Sequence, residues 1–197
     1  NKTDIDENFA HALKHLGFFI REVGGDGNCL FRAVCEQVEN NEGNYKHYRD
    51  ECIEYMKAHP DSFTPFIEED EPFDKYIERM SKDSEWGGNL EIYAMSMAFQ
   101  YNFYIYIFEH PMYIVKNWEK PKKNIKLTYH DGKHYNSLRK LEEKNKNDEE
   151  KEKAKQKERE EKKEGESSND DGSESSEEDN DSDCVNDLIS KVDHLNI

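Results

Sequence analysis

The chain has 197 residues and a net charge of −17, with 37% charged and only 34% hydrophobic residues, below the roughly 45–50% apolar share of an ordinary globular chain. The imbalance is uneven: residues 142–197 hold 21 acids and 10 bases, a net of −11, whereas residues 1–141 hold 24 acids and 18 bases, a net of −6. Residues 1–141 also contain both tryptophans and every Phe and Tyr, so they are expected to form one domain and the rest a tail. No apolar run approaches the roughly 18–20 residues that span a bilayer, and no signal-peptide core opens the chain, so no membrane partner is expected. An acidic chain without a basic stripe is a poor match for nucleic acid. Cys29, Cys35, Cys52 and Cys184 form no CxxC pair, which suggests neither a disulfide frame nor a zinc site and points to a reducing compartment, cytoplasm or nucleus. No metal or cofactor is expected, and the chain reads as a monomer. It starts at Asn1 rather than Met and reads as a piece of a longer protein.

Residues 7–16 predict an amphipathic helix, with Phe9, Leu13 and Leu16 at spacings of four and three. The apolar run Phe18-Phe19-Ile20 leads into the turn Gly24-Gly25-Asp26-Gly27-Asn28. A helix is then expected from Cys29, with Leu30, Val34 and Val38 on one face, and another over 46–59, burying Tyr48, Cys52, Ile53 and Met56 and stopped by Pro60. Phe73 to Met80 predicts a short helix. Asn89 reads as the N-cap of a helix over 90–100. From Tyr101 the pattern turns to strands over 103–109, 112–115, 125–129 and 135–138, the last two joined by a two-residue hairpin turn at Asp131-Gly132. Helices first and a mostly antiparallel sheet after give an α+β fold.

Beyond Leu141, residues 142–164 alternate acid and base, with i,i+4 pairs such as Glu149–Lys153 and Glu158–Lys162. Residues 166–183 are almost entirely Ser, Asp and Glu, a composition that stays disordered. Val185, Leu188, Ile189, Val192 and Leu195 then sit at helical spacing. The expected division is 1–141 folded domain, 142–184 charged linker or polar helix, and 185–197 short amphipathic helix.

Asp26-Gly27-Asn28-Cys29 at a helix start is the most informative stretch. The reactive form of cysteine is the thiolate, and a helix N-terminus offers it unpaired N–H groups and the positive end of the dipole. The Asp26, Gly27 and Asn28 loop can turn N–H groups toward a developing oxyanion. A small buried cysteine after a glycine turn is the bland alternative. A thiol nucleophile also needs an imidazole and a group to orient it. His11 and His15 form an i,i+4 pair on the first helix, read as a half-solvated face rather than a metal site. His134 follows the hairpin turn, and a two-residue loop would pair it with Tyr129 and pair Asn136 with Leu127. His134 and Asn136 then share a face, so that the amide oxygen could accept from Nδ1 and leave Nε2 toward a thiol.

Three blocks in this order resemble the ovarian tumour (OTU) family of cysteine deubiquitinases: Gly25-Asp26-Gly27-Asn28-Cys29-Leu30-Phe31-Arg32-Ala33, then Trp86-Gly87-Gly88-Asn89-Leu90-Glu91, then His134-Tyr135-Asn136-Ser137. The resemblance covers about residues 5–140 and is strongest to the small single-domain members. It implies a papain-like α+β protease fold that cleaves the isopeptide bond at the ubiquitin C-terminus through an acyl-enzyme, without metal. It further implies Cys29 as nucleophile, His134 as base and Asp26 as a triad acid. Several members carry an acid where this chain has Asn136, so either Asp26 or Asn136 is expected to orient His134. Trp86, Gly87 and Gly88 are expected to line a narrow channel for ubiquitin's Gly-Gly end, with a structural turn as the alternative. The acids Glu68 to Asp70 would face a basic substrate surface, or simply solvent. The implied partner is ubiquitin or a polyubiquitin chain. The rivals are a ubiquitin-binding module with weak turnover and a protease for a ubiquitin-like modifier.

Overall fold

A five-stranded sheet carries the fold, with strands in the order β1-β5-β4-β2-β3. The structure, a computed structural model, describes residues 2–143 and Lys153, with side chains from Glu7 onward. The expectations for 142–184 and 185–197 lie outside the described residues but for Glu142, Glu143 and Lys153. The helix α1 (Lys2–His15) runs five residues further toward the N-terminus than its apolar pattern. It is followed by β1 (Phe18–Arg21), α2 (Cys29–Glu39), α3 (Tyr45–Ala58), two short 3₁₀ turns, α4 (Phe73–Met80) and α5 (Asn89–Phe99). The strands β2 (Tyr101–Ile107), β3 (Tyr113–Val115), β4 (Lys123–His130) and β5 (His134–Lys140) complete it.

Alternation along the strands decides which face each helix covers. Phe103 and Ile105 of β2, Ile125 and Leu127 of β4, and Tyr135 of β5 share one face and join the main core with Leu30, Phe31, Val34, Met56, Ile92 and Met95 of α2, α3 and α5. The opposite face is smaller: Phe9 and Leu13 of α1 pack on Leu138, with Phe18, Ile20, Tyr106 and Phe108 around them. All these elements belong to one compact unit, Asn1–Glu152.

The sheet is mostly antiparallel, as expected: three of its pairings are antiparallel, and β2 and β4 run parallel over seven residue pairs at its centre. One local expectation needs correction. The β4–β5 hairpin has a three-residue loop, Asp131–Lys133, closed by the Lys133 N–H to His130 carbonyl bond at 3.0 Å. Asp131 (φ 51°) and Gly132 (φ 69°) both take the left-handed conformation. Tyr129 therefore pairs with Tyr135, and Thr128 with Asn136. One residue of slip exchanges the faces of a strand, so His134 and Asn136 lie opposite the face that the two-residue turn implies. Burial decides this: in the observed register Tyr135 enters the core, 6% exposed, and its ring lies 4.5 Å from that of Tyr129.

Candidate active site

The Gly24–Asn28 loop links β1 to α2 and passes the start of β5. Its glycine pattern has a specific cause at one position. Gly27 has φ +85°, and a Cβ there would stand 2.0 Å from the Ser84 carbonyl oxygen; only a residue without a side chain fits. The loop ends at Asn28, and Cys29 opens α2.

Cys29 is buried, with its sulfur 4.0 Å from the carbonyl oxygen of Lys133, the residue before His134. Desolvation pushes its thiol pKa up, opposed by the N–H groups of Tyr135, Leu30 and Cys29 itself. Desolvation outweighs these amides, whose dipoles would stabilise a thiolate once a base took the proton.

His134 stands at the first position of β5, and Gly25 packs against its ring: a Cβ on Gly25 would lie 3.7 Å from Cε1. His134 Nε2 is 3.0 Å from Asn136 Oδ1, and the same oxygen accepts the Val23 backbone N–H at 3.0 Å. The Val23 amide can only donate, so the atom facing it is the carbonyl oxygen of Asn136, and Nε2 must carry the proton. This reverses the expected use of the ring. Nε2 faces the orienting amide, and Nδ1 is the basic nitrogen left to receive a proton. The reason is the one-residue register shift together with the β1–α2 loop, whose Val23 amide fixes the side chain of Asn136.

Asp26 is engaged elsewhere. Arg32 donates to it through Nε (3.1 and 3.2 Å) and Nη2 (2.6 Å), and the Asn28 N–H donates to its Oδ1 at 3.1 Å. The Arg32 guanidinium is the main reason its carboxyl is held well below the usual range. Asp26 shapes the loop, and Asn136 is the residue in contact with the imidazole. The Asn28 N–H is committed to Asp26, so the donors left near the sulfur are the amides of Cys29 and Leu30 at the start of α2 and that of Tyr135 on β5.

Trp86 is 61% exposed, so it is not packed in the core. Gly87 packs behind the nucleophile helix, where a Cβ would meet Leu30 Cδ2 at 2.8 Å and the Phe31 ring at 3.2 Å. Gly88 faces open space. Gly87, Gly88 and Asn89 line a groove of about 380 Å³ together with Ile105, Ile107, Tyr113, Tyr129 and Tyr135. Gly88, not Asn89, takes the N-cap position of α5, where its N–H donates to Glu91 Oε2 at 2.7 Å. A second cavity of about 570 Å³ lies beside His134 and Asn136, bordered by Glu22, Val23 and Lys133. Glu68, Glu69 and Asp70 are exposed.

The sequence reading did not single out Arg49, which is 2% exposed yet lies on the apolar face of α3 among Tyr48, Cys52, Ile53 and Met56. A charged residue in that spacing was the available signal. Glu36 was missed likewise; it is buried on α2 and binds Arg21 (2.9 Å), Arg139 (3.1 Å) and the Ser137 hydroxyl, tying α2 to β1 and β5. Among the described residues no group of three His, Cys, Asp or Glu could hold a metal, and no helix is long and apolar enough to cross a membrane.

A thiol at a helix N-terminus, an imidazole on a neighbouring strand and an amide holding the far ring nitrogen define a cysteine-protease type of site. The family model for OTU-like cysteine proteases matches residues 24–136. The chain therefore belongs to the OTU-like cysteine protease family. It is 40% identical over 136 residues to the Arabidopsis thaliana protein named OVARIAN TUMOR DOMAIN-containing deubiquitinating enzyme 7, covering 68% of this chain and 36% of that one. The chain thus spans about a third of the length of the curated relatives it matches. Among solved structures, the OTU domain of OTUD1 aligns with a TM-score of 0.63 at 23% identity, over 70% of this chain and 95% of that one. An ovarian tumour domain in complex with ubiquitin aligns with a TM-score of 0.54 at 24% identity, over 61% and 69%. At those identities the structural likeness speaks for the fold.

Proposed function

We propose that this chain is a thiol-dependent deubiquitinase that hydrolyses the isopeptide bond between the ubiquitin C-terminus and a lysine. The observation that carries the reading is the bond from His134 Nε2 to Asn136 Oδ1, which leaves Nδ1 available as a base, while Cys29 opens α2 with its sulfur 4.0 Å from the carbonyl of Lys133, the residue before His134. His134 takes the Cys29 proton, and the sulfur attacks the carbonyl carbon of ubiquitin's terminal glycine. The oxyanion of the tetrahedral intermediate faces backbone amides at the start of α2. Collapse breaks the C–N bond, and the imidazolium returns the proton to the lysine amine as it leaves. Water, deprotonated by the same imidazole, then hydrolyses the thioester and frees the C-terminal carboxylate and the thiol.

The groove lined by Gly87 and Gly88 supports a substrate that ends in two glycines, because glycines on its lining leave room for an extended chain without side chains. The ubiquitin partner is further supported by the name of the Arabidopsis relative and by the ubiquitin-bound neighbour. Cys29, Cys35 and Cys52 are free thiols, in keeping with work in a reducing compartment. Incubation with di-ubiquitin tests the proposal. Wild type is expected to release mono-ubiquitin and Cys29→Ala is not; a folded wild type that leaves every linkage intact contradicts it. Inhibition by free ubiquitin is expected, and its absence would point to another modifier.

A further inference from the structure

Among the described residues, Arg49 is a buried cation with no carboxylate within ion-pair distance. Its Nη1 donates to the Met80 carbonyl at 3.0 Å, and its Nη2 to the Glu85 carbonyl at 2.8 Å and to Asn28 Oδ1 at 2.6 Å. Its guanidinium lies 4.2 Å over the Phe31 ring. Desolvation pulls its pKa down, and its Nε finds no partner among the described residues. A buried charge is costly and needs a reason to be kept.

The reason lies in what it does to Asn28. Asn is among the preferred N-cap residues because its side-chain oxygen accepts an N–H of the first helical turn. Asn28 stands at the N-cap of α2 and makes no such bond. Its backbone (φ −104°, ψ 8°) is outside the extended conformation of a capping residue. Its Oδ1 instead accepts from Arg49 and from the Ser84 N–H at 3.0 Å, and its Nδ2 is left buried and unpartnered. Two donors converging on one atom fix that atom as the oxygen.

We propose that Arg49 is a positioning residue of the nucleophile: by holding Asn28 Oδ1 it keeps Asn28 from capping α2, so that the first-turn N–H groups stay turned to the Cys29 sulfur and to the oxyanion. The amides of Cys29 and Leu30 are among the groups that favour the thiolate. A capping oxygen accepts the N–H of the second or third helical residue and would compete with the sulfur for that of Leu30. The catalytic consequence rests on the proposed deubiquitinase reading; the effect on the thiol does not.

The test is the pH profile of Cys29 alkylation by iodoacetamide in the free protein, followed by peptide mass spectrometry. Arg49→Met removes one of the two donors that hold the Asn28 oxygen and leaves the Ser84 N–H, and the apparent thiol pKa is expected to rise by about half a unit or more, the scale of one capping bond. In Arg49→Met with Asn28→Ala the competing oxygen is gone, and the pKa is expected to return toward wild type. A merely structural Arg49 would make the double variant worse, never better. If Arg49→Met does not fold, Arg49→Lys replaces it, since a point charge cannot reproduce a planar fork across three acceptors. An unchanged pKa in the folded single variant, or an equal rise in the double, overturns the proposal. Turnover of a ubiquitin C-terminal amide is expected to fall about tenfold in the single variant, the scale of a lost bond to a charged group. A wild type inert toward ubiquitin would refute the deubiquitinase reading while the alkylation profile still decides the role of Arg49.

Discussion

Asn136 Oδ1 accepts two hydrogen bonds of 3.0 Å, one from Val23 N–H and one from His134 Nε2. The first makes the second unambiguous. A backbone amide from the nucleophile loop dictates which end of Asn136 meets the imidazole, and so which ring nitrogen is left as base.

Removing that oxygen should cost both orientation and fold. Asn136→Ala is expected to lower kcat about 10²-fold, the usual scale for a general base set adrift, and to destabilise by about 1–2 kcal/mol because the buried Val23 amide loses its acceptor. Asn136→Asp keeps both bonds and adds a charge. A carboxylate stabilises the imidazolium more than an amide does, so the acid limb of the kcat/KM profile should move to higher pH. Steady-state kinetics over pH check both; a limb that moves down would contradict the assignment.

Asp26 should behave differently. Its Arg32 pair shapes the loop without touching His134, so Asp26→Asn is expected to keep kcat within about fivefold of wild type, far from the loss of a general base, and to leave the acid limb in place. The sign of its stability effect follows from the depressed carboxyl. Asp26 contributes above its unfolded pKa of about 3.9 and loses that contribution as pH falls toward the folded value. Urea unfolding below about pH 4 should therefore be less pH-dependent in Asp26→Asn than in wild type, by a small margin, since the side chain is 44% exposed and solvent-screened.

The glycines divide by what surrounds them. Gly27→Ala puts a Cβ at 2.0 Å from a backbone oxygen with φ +85°, and is expected to cost about 2–4 kcal/mol as the loop is forced to move. Gly88→Ala meets nothing within 4 Å and should change stability by less than about 0.5 kcal/mol while raising KM, because it narrows the groove. Thermal melts paired with kinetics separate the two; a Gly88→Ala variant with wild-type KM would remove the groove from the account.

Burial raises the Cys29 thiol. Its alkylation rate should therefore keep climbing with pH past the ordinary free-thiol pKa of about 8.5. A plateau already at neutral pH would show a preformed thiolate and contradict the dominance of desolvation.

Much of this site is legible in the sequence because it is local. Cys29 follows a glycine turn and opens an apolar-faced helix, and His134 and Asn136, two apart in a strand, share a face whatever the register. What is not legible is set by tertiary contact. The choice between Nδ1 and Nε2 depends on a hairpin loop of three rather than two residues and on an amide 113 positions away. Tyr135 chooses that register by entering the core, which no turn propensity at Asp131-Gly132 reports. Arg49 shows the same limit: helical spacing places it on the buried face of α3, but only the packed structure supplies the three carbonyl oxygens that let a cation stay there.

The central claim is that Cys29, with His134 as its base, attacks the ubiquitin C-terminus. Ubiquitin carrying a thiol-reactive group at its C-terminus tests it most directly. Wild type should form a covalent adduct mapped to Cys29, Cys29→Ala should form none, and His134→Ala should label about 10²-fold more slowly, the scale of a lost general base. An adduct that survives Cys29→Ala, or a folded wild type that binds ubiquitin and forms none, would contradict it.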